Sequence, residues 1–134
     1  LMNIKQVQIN GFLLPGHVSV ILGRQAYQSF FDRYQVPSVV AGFEPTDILE
    51  AVRRLVDQIE KEQPQLDNAY TRAVSEEGNP KARAVMDTVF APVDAVFRGI
   101  GLIPGSGLRI RPAFAAHDAA QSSSGCTAPL SAPR

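Results

Sequence analysis

The sequence predicts an α/β fold, a three-layer parallel sheet of about four strands with helices on both faces. Three observations carry that expectation. Short apolar runs rich in β-branched residues alternate with one-faced helical patterns. Two of the helices open on a capping residue followed by proline, Glu44-Pro45 and Asn79-Pro80. Three strand candidates end in related spellings: Gly11-Phe12-Leu13-Leu14-Pro15, Gly42-Phe43-Glu44-Pro45 and Gly101-Leu102-Ile103-Pro104. In a parallel sheet such ends share the carboxyl edge, where open α/β folds bind their ligands.

The elements follow in order. Val7 to Leu14 is the first strand candidate, stopped by Pro15-Gly16. His17 to Leu22 forms a short helix closed by Gly23. A second helix spans Ala26–Tyr34, and its stripe of Tyr27, Phe30, Phe31 and Tyr34 at i, i+3, i+4 and i+7 reads as core packing rather than a binding face. Pro37 resets the chain into a buried strand, Val39-Val40-Ala41. Pro45 then opens the strongest helix, with Glu44 at its N-cap and Asp47 in its first turn, where a carboxylate is favoured. Ile48, Leu49, Val52, Leu55, Val56 and Ile59 give it one apolar face. Glu50 with Arg54, Arg53 with Asp57 and Asp57 with Lys61 make a solvated face. That helix ends before Pro64.

Asn68 to Val74 reads as a third strand, interrupted by Thr71 and Arg72. Asn79-Pro80 starts a helix with Ala82, Val85, Met86, Val89 and Phe90 on one face, ended by Pro92. Ala95 to Ile103 is the fourth strand, Pro104-Gly105-Ser106-Gly107 a turn, and Leu108-Arg109-Ile110 a short last strand. One α/β domain over residues 1–115 is expected, followed by an irregular tail over 116–134.

Composition narrows the function classes. Of 134 residues, 45% are apolar and 19% charged, which is the composition of a globular chain. Thirteen basic residues balance thirteen acidic ones, so no electrostatic argument supports nucleic acid or an anionic membrane as a partner. The single Cys126 cannot form an internal disulfide, and no Cys/His spacing suggests zinc. No apolar stretch approaches the roughly 18 residues of a membrane span. A cytoplasmic setting is the default expectation. The opening Leu1-Met2 suggests a piece of a longer reading frame.

Candidate site residues cluster at the expected carboxyl edge: Pro15, Gly16, His17, Ser19, Glu44, Pro45, Asp47, Arg72, Gly105 and Ser106. His17 is either ligand-facing or a packed, capping histidine. Ser19 either donates to a ligand or caps its own helix, the second being the simpler role. Glu44 has the same ambiguity, because an N-cap carboxylate and a rim carboxylate occupy one position. Asp47 reads as a first-turn stabiliser rather than a catalyst. The glycines around Ser106 lack the Lys-Ser/Thr ending of a phosphate loop, and no nucleophile elbow or dinucleotide fingerprint occurs. A self-contained catalytic set is absent.

Four ordered blocks over residues 7–115 make a further point. Gly11-Phe12-Leu13-Leu14-Pro15-Gly16-His17-Val18-Ser19 resembles a signature of the HypD family of hydrogenase maturation proteins. Ala41 to Leu49 resembles the next block, Asp67 to Arg72 with Glu77-Gly78-Asn79-Pro80 a third, and Arg98 to Arg109 a fourth. The resemblance implies most of the second α/β domain of a longer protein, and therefore an incomplete domain. It implies a scaffold on which an iron carrying cyanide and carbon monoxide is assembled, with a HypC-type chaperone and a HypE-type cyanide donor as partners. It also implies a 4Fe–4S cluster in the full-length protein, and no metal ligand or cofactor within this stretch. The family's Cys-Gly-x-His and Cys-Pro-x-Cys blocks belong upstream and its cluster cysteines downstream, and Cys126 matches none of them. Asp67 stands where a glutamate is expected. The likeness stops near Ala119, consistent with truncation, a shifted frame or a divergent end. In the intact protein His17 and Glu44 would face the cleft between domains.

The alternative expectation is a small α/β enzyme or binding module that takes an anionic ligand at the same edge through helix N-termini. A third is a fragment without independent activity.

Overall fold

The computed structural model describes residues 9–119. They fall into two compact units, the first reaching to Arg83 and the second beginning at Ala84. The first is built on β1 (Phe12–Pro15), β2 (Ser38–Ala41) and β3 (Leu66–Asn68), a parallel sheet in the order β1-β2-β3. Phe12 lies level with Ser38 and Pro15 with Ala41, and Ser38 is level with Leu66 in turn. Between these strands run α1 (Gly16–Leu22), a 3-10 turn (Arg24–Tyr27), α2 (Gln28–Tyr34) and α3 (Pro45–Glu60).

The core is small and lies on β2. Val39 and Ala41 pack against the fully buried Ala51 of α3, with Leu55 and Ala69 alongside. Phe12 alternates to the opposite face of the sheet, where its ring meets Phe30 of α2 edge-on at 5.4 Å. Phe30 also contacts Tyr34 one turn further on, and the four aromatics of the stripe are half-buried. Arg24 ties the 3-10 turn to the far edge: its guanidinium grips Glu76 at 2.6 to 2.9 Å and donates to the Leu66 carbonyl at 2.8 Å.

Pro45 occupies the first helical position of α3 and Glu44 its N-cap, as expected. The face that α3 buries differs from the expected one. Asp47, Ala51 and Gln58 are the buried residues, whereas Ile48, Leu49, Val52, Val56 and Ile59 stay exposed. The reason is steric and electrostatic together. Ala51 is small enough to let the helix close onto Val39 and Ala41, and Asp47 is drawn inward by an arginine described below. The expected Glu50–Arg54 and Arg53–Asp57 pairs form, and Arg54 adds Asp67 of β3 at 3.0 Å.

The third strand lies earlier than its apolar pattern suggested. Leu66–Asn68 pair with β2, and the chain then turns at Tyr70, whose carbonyl accepts from the amides of Ala73 and Val74. Asn68 causes the turn: its side chain accepts from the Tyr70 amide and donates to the Val74 carbonyl.

In the second unit α4 (Pro80–Val89), which begins in the first, leads directly into β4 (Phe90–Phe97), and β5 (Gly101–Ile110) returns antiparallel to it. Asn79 caps α4 through the Ala82 amide, as expected. The expected fourth parallel strand, Ala95–Ile103, is instead a hairpin, and among the described residues the parallel sheet has three strands. Gly99 and Gly101 take positive φ of 78° and 103°, which turns the chain back on itself. Pro92 lies within β4 rather than ending α4 at that point, and Pro104–Gly107 lies within β5 opposite a bulge between Val93 and Ala95. Of the irregular tail expected over 116–134, Ala116 and His117 close a 3-10 helix (Pro112–His117), while the part beyond Ala119, with Cys126, and the strand start at Val7 lie outside the described residues.

Filling the α3–β2 contact tests this packing. Ala51→Leu should overpack it and destabilise the chain by about 1–3 kcal/mol, read as a lower midpoint of thermal unfolding. An unchanged midpoint would mean that α3 does not close onto β2 through Ala51.

Candidate functional site at the carboxyl edge

The site is assembled where β1 and β2 end and the turn after β3 rises beside them. At its centre is Asp47, with a side chain only 8% exposed at the first turn of α3. Arg72, from the turn after β3, donates to both carboxylate oxygens at 2.7 and 2.6 Å. This fork-to-fork geometry is the strong form of a charge-assisted pair. The same guanidinium lies over the Tyr70 ring, 4.5 Å from its centre, and reaches Glu44 at 3.5 Å. The Arg72 hydrogen bonds hold the Asp47 carboxyl below the usual carboxylate range, against a smaller opposing effect of burial.

Two glycines make room for this arrangement. A Cβ at Gly42 would collide with the Asp47 carboxylate and the Tyr70 ring. One at Gly16 would collide with the Ala41 carbonyl and the same ring. Tyr70 therefore underlies both strand exits as well as Arg72.

The expected site residues divide into four groups. Pro15, Gly16, Pro45, Asp47 and Arg72 form the frame of the edge. Ser19 is fully buried; it donates to the Pro15 carbonyl at 2.8 Å and lies 3.0 Å from the Tyr27 hydroxyl. With its one proton on Pro15, it accepts from Tyr27, so it braces the β1–α1 corner instead of capping the helix or facing the rim. His17 and Glu44 are the outward pair. The Glu44 backbone has N-cap angles, φ −71° and ψ 147°, yet its side chain makes no capping hydrogen bond and is 74% exposed. The Glu44 carboxylate therefore stands exposed on the rim beside Arg72. The His17 ring stacks at a tilt on Phe43, 4.9 Å between centres, and Phe43 is itself 63% exposed. Gly105 and Ser106 belong to β5, in the antiparallel sheet of the second unit. There the Gly105 amide donates to Asp94 and Ser106 donates to the Ile103 carbonyl.

Phe43, Tyr70 and Asn68 were not singled out as site residues from the sequence. Their signal was position: Phe43 lies between the strand-ending glycine and the helix-opening Glu44-Pro45, and Asn68-Ala69-Tyr70 precedes the arginine.

The rim thus carries an exposed aromatic ring, an imidazole and a carboxylate on a braced base. Among the described residues no group of three or more His, Cys, Asp or Glu side chains stands close enough to hold a metal ion. None of the helices described there is long and apolar enough to cross a membrane.

Comparison with known proteins gives this geometry its context. The family model described as HypD, hydrogenase formation hypA family, matches residues 1–130. The chain belongs to the HypD family. It is 44% identical over 114 residues to the hydrogenase maturation factor HypD of Azotobacter vinelandii, covering 84% of this chain and 30% of that protein. It is 42% identical over 118 residues to the hydrogenase maturation factor HypD1 of Bradyrhizobium diazoefficiens, covering 87% and 31%. With the HypD of Cupriavidus necator the identity is 41% over 116 residues, covering 86% and 31%. The chain spans a little under a third of the length of these HypD proteins.

The Asp47–Arg72 pair has an acid signature. Its folded-state pKa is depressed, so the unfolded chain takes up the proton first as pH falls. The stabilisation is complete above the unfolded value of about 3.9 and is lost as pH drops through the lower folded value. Asp47→Asn should flatten the acid limb of a plot of unfolding stability against pH. An identical slope in the variant would show that the pair carries no linkage.

Proposed function

We propose that this HypD chain is part of a hydrogenase maturation factor and that the rim at Phe43, Glu44 and His17 is a working surface of the full-length protein. The observation that carries the proposal is the outward presentation of these three residues over the Asp47–Arg72–Tyr70 base. Rigid, exposed aromatic and charged side chains on a preformed edge suit recognition of another protein surface, where a few such residues dominate the binding energy. In this reading the full-length protein acts in the cytoplasm as a scaffold. The iron bearing cyanide and carbon monoxide is its cargo, a HypC-type chaperone its docking partner and a HypE-type protein the cyanide donor. The described residues do not fit a 4Fe–4S cluster or an iron site, since no set of ligands converges among them. In this reading those groups belong to other parts of the full-length protein. Support for the maturation role comes from the names of the relatives and from the match along nearly the whole chain.

An anion site at the same edge has less support. At the start of α3, the place where a ligand anion would sit is filled by the chain's own Asp47 carboxylate, already paired with Arg72. Glu44 adds a second negative charge beside it.

Replacement at the aligned positions in a full-length HypD protein tests the rim. Phe43→Ala should weaken binding of the HypC-type chaperone about tenfold or more, and His17→Ala or Glu44→Ala should lower nickel–iron hydrogenase activity in cells. Arg53→Ala, on the solvated face of α3, should leave both unchanged. Normal binding and normal hydrogenase activity in all three rim variants would remove the rim from the mechanism.

A further inference from the structure

Helix α3 carries apolar residues on two faces. One face, Ala51 with Leu55, is used against the sheet. The other carries Ile48, Val52, Val56 and Ile59 at i, i+4, i+8 and i+11, with Leu49 beside them, and these side chains are 39% to 69% exposed. At 1.5 Å per residue the stripe is about 16 Å long. A helix apolar on both sides is the pattern of one sandwiched between two layers, and soluble proteins rarely leave a contiguous aliphatic patch of this kind open.

The chemistry of the occupant is constrained by the charges beside the stripe. Arg53 is held by Glu50 and Asp57, and Arg54 by Glu50 and Asp67. The cations are already neutralised, so nothing here selects an acidic partner, and an aliphatic or aromatic face fits best. The lengths of the relatives say where such a face can come from. This chain aligns with 30% or 31% of each, leaving more than two thirds of those proteins as additional polypeptide.

We infer that the Ile48–Val52–Val56–Ile59 stripe is an internal interface of full-length HypD proteins, covered by an apolar segment of the same polypeptide that lies outside the unit ending at Arg83. The inference uses family membership and the exposure of α3, and stands whether or not the rim at Glu44 binds a partner.

The test uses the full-length HypD of Azotobacter vinelandii, 44% identical to this chain. Single cysteines are introduced at the positions aligned with Val52, Val56 and, as a solvated reference, Arg53, and the labelling rate of each is read by peptide mass spectrometry. The two stripe cysteines should react at least about a hundredfold more slowly than the reference, as for groups reached only by local opening, with no dependence on protein concentration. Rates equal to the reference would overturn the inference. So would protection that disappears on dilution, which assigns the stripe to a second copy, or protection that arises only when a separate partner protein is added.

Discussion

A carboxylate withdrawn from water needs a partner close by, and in this chain that need organises the carboxyl edge of the parallel sheet. Asp47 sits at the first turn of α3, and its charge is met by Arg72 from the turn after β3. Two parallel hydrogen bonds fix the angle as well as the distance between these elements. Tyr70 lies beneath the guanidinium and against Gly16 and Gly42, so the exits of β1, β2 and β3 are held by one contact set. Removing Arg72 alone would strand a buried charge, which costs more than the pair contributes.

The inward turn of Asp47 also sets the rotation of α3. With Asp47, Ala51 and Gln58 facing the sheet, the bulkier Ile48, Val52 and Val56 must point away from it. The result is a narrow core of Val39, Ala41 and Ala51 beneath a helix whose larger apolar side chains face outward. Gln58 follows the same logic at the other end of α3: its buried side-chain oxygen accepts from the Gln65 amide and so secures the approach to β3.

For the HypD family these constraints separate support from presentation. Gly16, Gly42, Asp47, Tyr70 and Arg72 are committed to one another, whereas His17, Phe43 and Glu44 are left outward. The second unit handles its glycines differently. Gly99 and Gly101 turn the hairpin, and the Gly105 amide is held by Asp94 at the bulge. Pro104-Gly105-Ser106-Gly107 is therefore a piece of antiparallel strand rather than a loop at the end of a parallel one.

Local chemistry was legible in the sequence where one residue type has one physical solution. Pro45 after Glu44 opened α3, Asn79 capped α4, the buried run of β2 emerged from its β-branched residues, and four ordered blocks carried the family. Ser19 and Glu44 show the limit, since each had a structural and a ligand-facing role that spacing could not separate. Tertiary contact shows what spacing could not: Ser19 meets Pro15 and Tyr27 within the fold, and the Glu44 side chain makes no capping hydrogen bond. The rotation of α3 and the reversal at Gly99 were likewise decided in three dimensions. Hydrophobic periodicity reports how many faces of a helix are apolar, but which face is buried depends on how closely its neighbour can approach and on where a distant arginine lies. The chain by itself thus determined the kinds of elements and the family, while the Asp47–Arg72 contact across 25 residues decided how α3 meets the sheet, because a buried charge must be paired wherever its partner lies in the sequence.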